Sequence, residues 1–175
     1  MRHFLIENAQ VFNRLDTLEI KQIETEKKIN IVLNALEYEK VHPKQGIFFN
    51  GQIFDAYNFV SDLFRSAEKS IIIIDNYIDD SVLIHLTKRK KNIPVVLLSK
   101  SISRSLVLDV KKFNKRYPEI VLKQLQSSHD RFIIIDNETV YHFGASLKDL
   151  GKKWFAFSKM EIGAVEMLAK LEEII

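Results

Sequence analysis

The 175-residue sequence predicts an α/β fold: a mixed, mostly parallel sheet with helices on both faces, preceded by a long coiled-coil helix. Three observations carry this. The first 40 residues contain neither glycine nor proline and hold a seven-residue apolar repeat. Buried-strand patterns then alternate with amphipathic stretches from about residue 45 to 125. From residue 131 the pattern becomes that of a β-hairpin. All five glycines and all three prolines lie after residue 40. That places a boundary near Val41-His42-Pro43, with domains 1–40 and 45–175.

Residues 1–40 carry six Lys/Arg and seven Asp/Glu, a net charge of −1 within a chain of net +3. Phe4, Val11, Leu18, Thr25 and Val32 form one heptad set. Asn8, Leu15, Gln22, Ile29 and Leu36 form a second, offset by four residues. Seven of these ten are apolar and fall on one narrow stripe. A long helix that is polar on its other faces is stable mainly by pairing, so a homodimeric coiled coil is expected. The plainer alternative is a helix folded back on its own domain.

The second segment is read element by element. Residues 46–49 open a strand, and Asn50-Gly51 signals a turn. Residues 55–68 are helical, with Ala56, Phe59, Val60, Leu63 and Phe64 on one face. Ser70-Ile71-Ile72-Ile73-Ile74-Asp75 is a buried strand, because four isoleucines in a row leave neither face for water. Asp79 or Asp80 caps a helix ending near Thr87. Residues 94–99 and 119–125 are further strands, separated by a helix over 103–116. Residues 131–136 and 139–144 form a hairpin turning at Asn137-Glu138. A short helix at 147–152, an edge strand at 154–158 and a last helix over 164–174 complete the chain.

With no cysteine, disulfides and thiolate metal sites are excluded. No apolar run approaches the about 20 residues needed to span a bilayer, and no signal-peptide core opens the chain. A cytoplasmic protein without membrane contact, metal or cofactor is expected.

His129 and Arg131 stand two apart at a strand entrance, so both are expected on one side, with Cα atoms roughly 6–7 Å apart. An imidazole beside a guanidinium suits a phosphate: the guanidinium holds two oxygens, and the imidazole donates a proton or attacks phosphorus. The hairpin returns Gly144-Ala145-Ser146 to the same end. Asp75, Tyr77 and Ser99 follow the C-terminal ends of buried strands, where open α/β sheets place ligands, and are expected as pocket walls. Ser128 is expected at the pocket mouth. The acidic run Asp75, Asp79, Asp80 reads as helix caps rather than a metal site. The basic clusters Lys88–Lys91, Lys111–Arg116 and Lys148-Lys152-Lys153 read as solvated helix ends, or as a phosphate-backbone footprint if they line one edge. Trp154, Phe155 and Phe157 read as core.

The pattern His129-x-Arg131-x4-Asp136, followed by Gly144-x-Ser146-x-Lys148, resembles the HKD motif of the phospholipase D superfamily. That motif is His-x-Lys-x4-Asp with a downstream Gly-Ser-x-Asn. The resemblance implies His129 as a phosphate-attacking nucleophile and Arg131 as a phosphate clamp. It also implies Ser146 as a pocket donor and places Lys148 near the Asn position. Catalytic residues would be His129, Arg131 and Ser146; phosphate-binding residues would be those three with Lys148 and Ser128. Asp136 has opposite parity to His129 and is expected to order the turn. This sequence departs from the motif at Arg131, at the inserted Ala145 and at Lys148, which marks a divergent member. Family enzymes bring two such motifs together, so a single motif implies a homodimer.

A second resemblance involves Arg2-His3-Phe4-Leu5-Ile6-Glu7-Asn8-Ala9-Gln10-Val11-Phe12 and Ser146-Leu147-Lys148-Asp149-Leu150-Gly151-Lys152-Lys153-Trp154-Phe155. These look like the C-terminal half of phage-antirepressor-like DNA-binding proteins. There a KilA-N-like module precedes this region; here that module is expected to be missing. A bacterial or prophage regulatory context is implied. Two functions stay open: a regulatory module binding phosphate or nucleic acid, and a metal-independent phosphodiesterase or nuclease working through a phosphohistidine at His129.

Overall fold

The structure, a computed structural model, describes residues 2–41, 43–160 and 164–174, with side chains described for 12–34, 43–160 and 164–174. The chain divides into two units, Met1–Val41 and His42–Ile175. The first is one unbroken helix, α1 (Arg2–Val41, 40 residues). On the predicted stripe, Leu15, Leu18, Ile29 and Val32 are all exposed. Phe4, Asn8, Val11 and Leu36 lie outside the residues whose side chains are described.

The second unit contains β1 (Gln45–Phe48), α2 (Ile53–Ser66), β2 (Ile71–Ile74), α3 (Ser81–Leu86), β3 (Val95–Ser99), α4 (Arg104–Phe113) and β4 (Ile120–Gln124). It continues with β5 (Arg131–Ile135), β6 (Thr139–Phe143), a 3-10 turn (Leu147–Asp149), β7 (Phe155–Met160) and α5 (Ala164–Glu172). The seven strands form one sheet in the order β1-β7-β6-β5-β2-β3-β4. Only β2–β3 and β3–β4 pair in parallel. The pairs β1–β7, β7–β6, β6–β5 and β5–β2 are antiparallel. The sheet is therefore mostly antiparallel, a correction to the expected mostly parallel sheet. The strand-helix-strand units dictate only their own three strands. The hairpin then docks β5 antiparallel onto β2, and everything beyond it follows the hairpin sense. Nor is β7 an edge strand: β1 crosses from the start of the domain to cover it.

The isoleucine strand divides the core as a pleat requires. Ile71 and Ile73 join the cluster under α2, α3 and α4, together with Phe59, Phe64 and Leu106. Ile72 and Ile74 join the opposite cluster under α5, with Leu98, Ile134 and Leu171. Helices thus cover both faces. Asp79 rather than Asp80 serves the start of α3, its Oδ1 accepting from the Ser81 backbone N–H at 3.0 Å. Ser103 Oγ caps α4 by accepting from Leu106 N at 3.1 Å. Among the described residues no helix is long and apolar enough to cross a membrane.

The hairpin turn sits at Asp136-Asn137, one residue earlier than expected. Both residues have positive φ, 59° and 57°, and Glu138 N donates to Ile135 O at 3.1 Å. Two left-handed residues in succession make a type I′ turn, which matches strand twist. The Asp136 carboxylate accepts from the backbone N–H groups of Glu68, Lys69 and Ser70 at 3.0, 2.6 and 3.0 Å. Burial raises its pKa, but those bonds from Ser70, Lys69 and Glu68, with the Lys69 charge, carry it below the ordinary value. Asp136 therefore clamps the hairpin turn to the approach to β2 and lies at the far end of β5 from Arg131.

Candidate phosphate-binding hollow

At the Arg131 end of the sheet, the turn after β2, the start of β5 and the 144–154 loop enclose a hollow of about 560 Å³. Asp75, fully buried at the end of β2, organises it. Its Oδ2 accepts from Ser146 Oγ at 2.7 Å and from Leu147 N at 2.8 Å. Its Oδ1 accepts from Tyr77 N at 2.9 Å. One carboxylate thereby fixes both walls by filling three donors that burial would otherwise leave unmade. It works beneath the hollow rather than as a wall.

Arg131, Lys148, Lys152 and Lys153 all line this hollow, with Asp149 as the single carboxylate. The Arg131 guanidinium lies over the Tyr77 ring at 5.4 Å. Its Nε is buried and has no hydrogen-bond partner among the described residues. Asp149 pairs with Lys152 at 3.0 Å and Lys148 at 3.6 Å. The Lys152 hydrogen bond, opposed by partial burial and aided by the Lys148 and Lys152 charges, holds its pKa below the usual range. Cationic donors outnumber the carboxylate, so the hollow is suited to an anion such as phosphate.

The loop is pinned at Gly151, where φ is +71°. A Cβ there would stand 2.5 Å from Ile53 Cα and 2.6 Å from Gln52 O. Gly51 N donates to Gly151 O at 2.9 Å, locking the two loops together.

The sequence-predicted residues divide here. Arg131, Ser146, Lys148 and Tyr77 line the hollow and Asp75 supports it. Ser99 is buried elsewhere, its hydroxyl donating to Ser101 O at 3.2 Å. Ser128 lines a different hollow, beneath α5 with Met167 and Lys170, and its carbonyl accepts from Asn76 Nδ2 at 2.6 Å. His129 is exposed on the loop before β5 and is not among the residues lining the Arg131 hollow. Strand pairing starts at Arg131, opposite Phe143, so the alternation that set His129 beside Arg131 does not extend back to it. Asp130, its neighbour, faces His142 at 3.8 Å.

Sequence reasoning missed Trp154 as a wall residue. It took Trp154 for core with Phe155 and Phe157, but those two are buried and Trp154 is 71% exposed. The available signal was parity: Trp154 alternates with Phe155 just as Ala156 does. The Lys152-Lys153 pair, read first as a solvated helix end, joins Arg131 through the loop's return.

No protein-family model matches the sequence, and no curated protein matches it. Solved structures do resemble the fold. NucT from Helicobacter pylori superposes with a TM-score of 0.50 at 15% identity, over 75% of this chain and 92% of that one. TrmBL2, an archaeal chromatin protein with a novel mode of DNA binding, gives 0.48 at 15% identity, over 97% of this chain and 66% of its own. Phosphatidylserine synthase of Haemophilus influenzae gives 0.38 at 12%, over 74% and 36%. The likeness to NucT is one of fold.

Proposed function

We propose that the 45–175 domain is a divergent phospholipase D-like module that binds the phosphates of nucleic acid, paired into a homodimer by α1 in a bacterial or prophage regulator. The observation that carries this is the convergence of Arg131, Lys148, Lys152 and Lys153 on one hollow. Arg131 lines it with its guanidinium over the Tyr77 ring, and Ser146 is set by Asp75. A guanidinium and several ammonium groups there would bind phosphate oxygens with marked salt dependence. Fluorescence anisotropy with labelled DNA at two salt concentrations tests it. Binding should fall at least about tenfold between 50 and 200 mM salt. Arg131→Ala should weaken it further without shifting the melting temperature. Salt-insensitive binding, or full affinity in Arg131→Ala, overturns the reading.

One observation favours a second reading, a metal-independent phosphodiesterase. The His129 imidazole is exposed and, among the described residues, makes no hydrogen bond. It would attack phosphorus, expel one alcohol and be freed by water. Cleavage of DNA, RNA or a bis-aryl phosphodiester in EDTA, abolished by His129→Ala, establishes the enzyme. Binding without turnover leaves the module.

A further inference from the structure

We propose that the hollow selects single-stranded over duplex nucleic acid, with an unpaired base stacked on Trp154 while Arg131, Lys152 and Lys153 hold the flanking phosphates. This rests on the phosphate-binding reading above and adds the class of nucleic acid. Trp154 is the chain's only tryptophan, and it lines the same hollow as the four cations. Its neighbours Phe155 and Phe157 go into the core, whereas Trp154 stays 71% exposed. An indole left in water beside a cationic cavity offers an apolar surface where phosphate donors also converge, the pairing of features used to hold unpaired nucleotides.

The platform is held in place before any ligand arrives. Phe49 meets Trp154 in a T-shaped contact, with ring centres 4.9 Å apart and planes at 87°. Phe49 is itself held by its N–H bond to Gln52 Oε1 at 2.7 Å, and the Gly51–Gly151 bond joins the two loops. Little ordering is left to oppose stacking. Tyr77, on the β2 side of the hollow, already carries the Arg131 guanidinium over its ring. The indole is therefore the platform, and Tyr77 orients the phosphate clamp. A duplex base has both faces covered by its neighbours, so a duplex gains only the phosphate contacts. An acidic peptide would use the same cations but leave the indole unused.

Trp154 reports on its own occupancy. In the full chain at low salt, its fluorescence should be quenched by single-stranded oligodeoxynucleotides and oligoribonucleotides of about 12 nucleotides. A hairpin duplex of equal composition should quench little and bind about tenfold more weakly. The two single-stranded arms show whether the sugar matters. Trp154→Ala should bind single strand and duplex alike, with salt dependence intact and an unchanged melting temperature. Trp154→Phe should keep the preference. If the wild type binds both forms equally, or Trp154→Ala keeps the preference, base stacking is overturned and phosphate binding stands. If polyglutamate binds and no nucleic acid does, both readings fall.

Discussion

The fully buried groups carry the sharpest consequences at the residue scale. Asp75 meets its three donors completely, which is why a carboxylate survives at the end of an all-isoleucine strand. His85 is the opposite case. It is 5% exposed, packed against Tyr57 at 4.3 Å between ring centres, and its Nδ1 has no partner among the described residues. Burial lowers its pKa to about 4. The unfolded chain therefore binds a proton near pH 6.5 that the folded chain refuses until about pH 4. The stability contribution is fully present above pH 6.5 and is lost as pH falls toward 4, by up to about 3 kcal/mol. Urea midpoints measured from pH 7.5 down to 4.5 should fall, and the fall should be shallower in His85→Leu. Parallel curves for the two proteins would show that the imidazole does not drive the loss.

Among elements, the 144–154 loop matters most, because its path turns a strand end into a hollow. Its close approach to the 49–53 turn depends on Gly151, where any side chain meets the backbone of Gln52 and Ile53. A left-handed φ adds to the strain. Gly151→Ala should cost about 2 kcal/mol or more and push the loop off the turn. Hydrogen exchange should then rise at Gly51, whose amide donates to Gly151 O. Oligonucleotide affinity should fall even though no lining side chain has changed. Unaltered exchange at Gly51 would mean that the loop is held by other contacts.

At the scale of the whole molecule, the proposed homodimer rests on α1. At 1.5 Å per residue, the 40 residues of α1 extend about 60 Å. Leu18, 56% exposed, and Ile29, 51% exposed, leave its stripe in water unless a partner covers it. With α1 paired as proposed, Leu18→Asp combined with Ile29→Asp should convert the dimer to a monomer in analytical ultracentrifugation. The melting transition of the α/β unit should persist. DNA affinity should drop because two hollows no longer act together. A wild-type chain that sediments as a monomer would sink the paired helix.

Read by itself, the sequence determined the elements and the two-faced sheet, since period and run length are local properties of residues. The isoleucine run, the apolar face of α2 and the hairpin all follow from patterns of a few residues. It also pointed to Arg131, Ser146 and Lys148, and to the ordering role of Asp136, from short spacings on a paired strand. Tertiary structure alone decided the antiparallel majority of the sheet, because β1 and β5 choose neighbours far away in sequence. It alone set His129 outside the Arg131 hollow, where strand alternation had not yet begun. It alone brought Trp154 and Lys152 to the hollow and set Asp75 beneath it rather than in its wall, because a buried carboxylate and a glycine contact between distant loops leave no periodic trace in the chain.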